Sequence, residues 1–127
     1  MSDPLWKPSA ERIAKANISV FTRKLELDWD VSLPDYAALH AFSIKEIEKF
    51  WSSTWDFCGV IASEKGDRIL VDGEKMPGAQ FFPDARLNFA QNLLRRRDNT
   101  LAVLFRAEDQ IERQLTWREL YNETSRL

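Results

Sequence analysis

Two Ser/Thr-x-x-Glu boxes, Ser43 to Glu46 and Thr116 to Glu119, constrain this chain more than any other feature. In such a box the hydroxyl accepts from an orphan amide of the first helical turn, and the carboxylate reaches back to the cap residue's own amide. Apolar residues stand at the staple positions around both, Phe42 with Ile47 and Leu115 with Leu120. The first box predicts a helix over 43–58 that buries Ile47, Phe50, Trp51, Thr54, Trp55 and Cys58, with Gly59 as the left-handed residue that ends it. The second predicts a helix that starts at Trp117 and presents Trp117, Leu120, Tyr121, Thr124 and Leu127 on one side. No stop signal follows it, so the chain reads as cut from something longer.

Around these anchors, Ala10, Ala14, Ile18, Phe21 and Leu25 recur at helical spacing behind Ser9, which predicts an outer helix over 9–26. Residues 28–33 read as a turn, and Pro34 opens a short helix through Tyr36, Leu39 and His40. Residues 64–67 read as a turn, 68–71 as a short strand, 72–78 as a loop and 80–82 as an extended piece stopped by Pro83. A helix is expected over 87–96, ending near Arg95-Arg96-Arg97, followed by a turn at Asp98-Asn99. The apolar run 101–105 predicts a strand covered on both faces. It is joined through Glu108-Asp109-Gln110 to a second strand in which Ile111, Arg113 and Leu115 alternate, making a hairpin.

Eighteen basic and twenty acidic residues leave a net charge of -2 over 127 residues, so there is no electrostatic footprint for nucleic acid and no such partner is expected. No apolar run approaches membrane-spanning length, so no membrane partner is expected either, and no secretory leader is visible at Met1-Ser2-Asp3-Pro4. With a single cysteine the chain is expected to be cytoplasmic. Four scattered glycines cannot build a phosphate-cradling loop, and one histidine with one cysteine falls short of a zinc site.

The candidate chemistry favours structural roles throughout. Cys58 reads as a buried structural thiol and His40 as a surface or helix-end residue. Arg95, Arg96 and Arg97 could hold a phosphate-bearing ligand, but cations at a helix C-terminus also complement its dipole, and that reading weighs more. Glu46 with Glu48, and Glu108 with Asp109, read as exposed cap and turn residues. Phe50, Trp51 and Trp55 read as core and not as a ligand box. No catalytic, cofactor-binding or metal-binding residue is assigned.

Several stretches nevertheless carry a resemblance. Leu5-Trp6-Lys7-Pro8-Ser9, residues 36–43 from Tyr36 to Ser43, Phe50-Trp51 with Trp55-Asp56-Phe57, and above all residues 82–94 from Phe82 to Leu94 resemble the N-terminal region of acetoacetyl-CoA synthetases. Acetyl-CoA synthetases share the layout, and the Leu-Trp-x-Pro-Ser start with the Phe-Pro-x-Ala-Arg-Leu-Asn run favours the acetoacetate enzymes. Leu115-Thr116-Trp117-Arg118-Glu119-Leu120 resembles the step into the large domain of adenylate-forming enzymes. The resemblance implies an α+β chain: a mostly helical N-terminal lobe over 1–97, then over 98–127 the first strands and first helix of a truncated α/β adenylate-forming domain. It implies a two-step ligase in which ATP and acetoacetate form an acyl-adenylate with loss of pyrophosphate, and CoA then takes the acyl group, with magnesium assisting. ATP, magnesium and CoA belong to the full-length parent, with no cofactor held by this chain. The phosphate loop ending in Pro-Lys, the nucleotide motifs and the lid lysine have no match here.

Two readings from different classes follow. In the first, the chain is a structural region of an acyl-CoA ligase, partnered by the remainder of the parent, with self-association possible at the open end. In the second, it is a freestanding helical interaction module whose aromatics serve a partner.

Overall fold

The computed structural model describes residues 5–108 and 112–127. Its elements are α1 (Ala10–Lys15), α2 (Asn17–Trp29), α3 (Tyr36–Lys45), α4 (Ile47–Phe57), β1 (Leu70–Val71), β2 (Gln80–Phe81), α5 (Phe89–Leu93), β3 (Leu101–Arg106), β4 (Glu112–Thr116) and α6 (Trp117–Thr124). Helices thus dominate, accompanied by two two-stranded antiparallel sheets, β1 with β2 and β3 with β4, which is an α+β composition. The chain forms two compact units, one of residues up to Val60 with Gly66–Pro83, the other of Ile61–Lys65 with Asp84–Leu127.

In the first unit the expected helix over 9–26 is two helices. Ser9 caps α1 as its hydroxyl accepts from the Arg12 amide, but Ala16 swings to an extended ψ of 139° and separates α1 from α2. Alanine is the best helix former, so no local signal marks this break. The Arg23 guanidinium reaches back to the Ala14 carbonyl and satisfies an acceptor that the break leaves open. α2 runs on to Trp29 and stops at Asp30, whose left-handed φ of 50° is one that Asp tolerates better than most residues. Of the expected apolar stripe only Phe21 and Leu25 are buried, and they join Leu33, Leu39 and Phe42 in the core. Glu26 accepts from the Leu33 amide and fixes the turn between α2 and α3.

The helix expected over 43–58 starts later, at Ile47, and the first capping box does not form. Asp35, not Pro34, opens α3 by accepting from the Ala38 amide, and α3 then runs through Ser43 to Lys45. Ser43 therefore lies inside a helix and donates to the His40 carbonyl, while Glu46 caps α4 without a side-chain bond and pairs with Lys49. The box failed because Asp35 offered an equally good start eight residues earlier. Ser43→Ala should accordingly change stability by less than about 0.5 kcal/mol, whereas Thr116→Ala, in the box that does form, should cost about 1 kcal/mol. Urea midpoints of the two variants, at unchanged m, check both values.

The end of α4 matches expectation. Gly59 takes φ 58°, its amide donates to the Asp56 carbonyl, and the Val60 amide donates to Trp55, the paired bonds of a Schellman turn. The buried line of the helix is displaced by one residue, however. Phe50 and Phe57 pack on the core, and between them Ser53 is buried, accepting from the Trp29 indole at 2.8 Å. Trp51 is 41% exposed and its ring lies tilted against Phe81, while Trp55 lies tilted against Phe82 with ring centroids 4.6 Å apart. α4 is thus sandwiched, with one face on the helical core and the other on the β1–β2 ribbon.

In the second unit β3 and β4 form the expected hairpin, with a register shift between Leu101 and Val103. Asp109, Gln110 and Ile111 of the expected connection lie outside the described residues. The second capping box is fully formed: the Thr116 hydroxyl accepts from the Glu119 amide, and the Glu119 carboxylate accepts from the Thr116 amide.

Candidate functional site

The run 82–94 that carried the resemblance is a structural splice. Phe82 sits at a left-handed φ of 47°, strained for a bulky residue, held by its ring contact with Trp55 and by its amide bond to the Ile69 carbonyl. Arg86 pairs backbone to backbone with Ser63 and Glu64, and its guanidinium meets the Glu64 carboxylate at 3.3 Å. Asn88 caps α5 by accepting from the Gln91 amide. Asn92 works as a side-chain peptide. Its Oδ1 accepts from the Ile61 amide at 2.8 Å and its Nδ2 donates to the Ile61 carbonyl at 2.7 Å. Leu94 is buried beneath. Within the run, Arg86 and Asn92 are the residues that tie 61–64 in place.

The helix expected over 87–96 is confined to α5, which ends at Leu93, so only Arg95 serves its C-terminus, donating to the Asn92 carbonyl and side chain. The other two arginines belong to α6. Arg96 lies over the Trp117 ring and binds Asp98 and Thr100, while Arg97 lies 4.0 Å from the Tyr121 ring centroid. Segment 98–100 in turn caps α6, because the Trp117 and Arg118 amides donate to the Thr100 and Asp98 carbonyls. With the Thr116 hydroxyl on the Glu119 amide, the first three amides of α6 are all satisfied. The turn expected at Asp98-Asn99 is held by the Asp98 carboxylate, which accepts from the Thr100 amide and hydroxyl, while its use as a cap for α6 is announced by no local pattern.

Two carboxyls here titrate below their ordinary values. Hydrogen bonds from the Thr100 side chain and amide, then the Arg96 guanidinium, hold Asp98 down, and the Thr116 amide and hydroxyl do the same for Glu119. A depressed folded pKa adds stability that is present above the unfolded value and lost as pH falls through the folded one. Protection of the Thr100, Thr116 and Glu119 amides, corrected for intrinsic exchange, should therefore hold above the ordinary values of 3.8 and 4.5 and fall as pH drops below them. Protection unchanged to pH 2 would remove these carboxylates from the cap.

The remaining candidates do not converge. Cys58, the C-cap of α4, is exposed and not the buried thiol expected: it keeps a helical backbone, but its side of the helix end is uncovered. His40 is exposed and stacks on Tyr36, Glu48 sits in the first turn of α4, and Glu108 is an exposed turn residue. Asp109 lies outside the described residues. Among the described residues no three His, Cys, Asp or Glu side chains gather as metal ligands would. An open groove of about 730 Å³ runs along Ile13, Ile18, Leu33, Tyr36 and Leu39. Its charged members are engaged in the scaffold: Arg23 on Ala14, Glu26 on Leu33 and Asp35 on Ala38. No helix among the described residues is long and apolar enough to cross a membrane.

Residues 36–93 match the family described as the acetyl-coenzyme A synthetase N-terminus. The chain is 43% identical over 129 residues to an acetoacetyl-coenzyme A synthetase of Rhizobium meliloti (strain 1021), an alignment that takes in 98% of the chain and 19% of that protein. It is 32% identical to a malonamoyl-CoA synthetase of Penicillium aethiopicum, over 91% of the chain and 17% of the relative. It is 26% identical to an acetoacetyl-CoA synthetase of Xenopus tropicalis, over 83% of the chain and 16% of the relative. The chain thus spans less than a fifth of the length of each of these relatives. No solved structure matches it. Together the family match and these relatives identify the chain as similar, over nearly its whole length, to the N-terminal region of acetoacetyl-CoA synthetases.

Proposed function

We propose that the chain is the N-terminal structural region of an ATP-dependent acetoacetate–CoA ligase. The parent would convert acetoacetate, ATP and CoA to acetoacetyl-CoA, AMP and pyrophosphate through an acyl-adenylate, in the cytoplasm. In this reading 1–97 is a helical N-terminal lobe, 98–127 opens the adenylate-forming domain, and the remainder of the parent is the partner. The carrying observation is the likeness to an acetoacetyl-CoA synthetase over 98% of the chain. The splice at 82–94 supports it, since this most family-like run is engaged in architecture. The residues described here do not fit ATP, magnesium or CoA. No two glycines form a phosphate loop, Arg95 and Arg96 are bonded to Asn92 and Asp98, and no carboxylate cluster gathers. No catalytic step is assigned to them.

The matched family bears the acetyl name, so acetate is the second substrate to weigh. The test starts from the reading frame beyond Leu127. Continuation into a glycine-rich Pro-Lys loop is the expected result, and a stop codon there would favour a freestanding interaction module. The 127-residue chain alone, given magnesium, ATP, acetoacetate and CoA, should release no pyrophosphate above a blank.

A further inference from the structure

We propose that Asp72 is a site of spontaneous covalent modification, at which the loop between β1 and β2 converts the residue to isoaspartate through a cyclic imide. The proposal does not depend on the ligase reading. Of the ten aspartates and five asparagines in the chain, Asp72 alone is followed by glycine. A following side chain shields the attacking amide nitrogen and restricts the backbone around it, and glycine does neither. The fold favours that glycine. A Cβ on Gly73 would stand 2.6 Å from Leu70 Cδ2 and 3.2 Å from its Cγ, so any other residue there displaces the β1 side chain.

The turn offers little to hold the reacting groups apart. Asp72 is exposed and left-handed at φ 55°, and its carboxylate meets the Lys75 ammonium at 2.8 Å in an ion pair open to water. The Lys75 amide donates to the Asp72 carbonyl and closes the turn, while among the described residues the Gly73 amide donates to no acceptor. Opening this turn therefore breaks one backbone bond and one exposed pair, a local event of low free energy. In the opened turn the Gly73 nitrogen attacks Asp72 Cγ. The N–Cγ bond forms and a Cγ–O bond breaks. That oxygen leaves as water, carrying the amide proton and one proton from solvent. A second water then opens the imide. Cleavage of N–Cγ restores aspartate, whereas cleavage of the original peptide bond leaves the main chain running through Cγ and frees the former Asp72 carbonyl as a carboxylate. The main chain gains a methylene between Val71 and Gln80, which pair across the ribbon that carries Phe81 onto Trp51 and Phe82 onto Trp55. The modification thus loosens the cover of α4.

The test ages the intact natural polypeptide that carries this region for several weeks at neutral pH, folded and in urea side by side. Isoaspartate is located by peptide mass spectrometry after methylation with an isoaspartyl methyltransferase and S-adenosylmethionine. In the folded sample residue 72 should carry at least about tenfold more isoaspartate than any other aspartate of this region. Asp72→Glu, which would need a larger and far slower-forming ring, should abolish that signal. In the modified fraction the Phe82 amide, bonded to the Ile69 carbonyl, should exchange about tenfold faster. Isoaspartate at residue 72 in urea alone overturns the proposal, because the folded turn would then prevent ring closure. A folded sample in which residue 72 is modified no more than the other aspartates overturns it as well. Unchanged exchange at Phe82 in the modified fraction overturns the effect assigned to the ribbon.

Discussion

Phe21→Ala should lower the unfolding free energy by about 4 kcal/mol, the largest loss expected from any single substitution in this chain. Phe21 is buried on α2 and joins that helix to α4 through two ring contacts, edge-on to Phe50 at 5.6 Å and tilted against Phe57 at 5.0 Å. Truncation removes the transfer free energy of a whole ring and both aromatic contacts at once. The neighbours are themselves rings, which cannot shift into the void without losing their own packing. A fall in urea midpoint at constant m is the expected reading. A loss below about 1 kcal/mol would mean that α2 and α4 are not packed through this ring.

Leu25→Ala should cost about 3 kcal/mol and Ile18→Ala, on the same apolar stripe, below about 1 kcal/mol. The two side chains have similar volumes, but Leu25 is 0% exposed and Ile18 is 53% exposed. Burial, not helical position, should set the ranking. Equal losses from the two would contradict the packing of α2, because Ile18 would then have to be covered as well.

The same pair shows how far the sequence could be read. Periodicity placed Ile18, Phe21 and Leu25 on one helical face correctly, but a period cannot say how much of that face finds a partner. Local chemistry was legible where one candidate stood alone. Thr116 with Glu119, Ser9, and Gly59 at its φ of 58° are recovered as expected. It failed where two candidates competed, as when Asp35 opened α3 early and left Ser43 inside a helix. The splice was invisible for another reason. Asn92 bonds to Ile61 across 31 positions, and no local pattern announces a contact of that range. Arg96 and Arg97 likewise drew their roles from α6 and not from the helix beside them in sequence. Cys58 keeps a helical backbone at the end of α4 yet is exposed, since apolar spacing cannot say which part of a helix face is covered.

The most direct measurement of the central claim is acid-dependent pyrophosphate release by the intact natural polypeptide that carries these residues, supplied with ATP, magnesium and CoA. Acetoacetate should support release coupled to thioester formation, at a higher kcat/KM than acetate. The same polypeptide lacking residues 1–97 should lose soluble folded protein rather than a particular chemical step. No release with either acid from a well-folded intact polypeptide, or turnover by the 127-residue chain alone, would contradict the account.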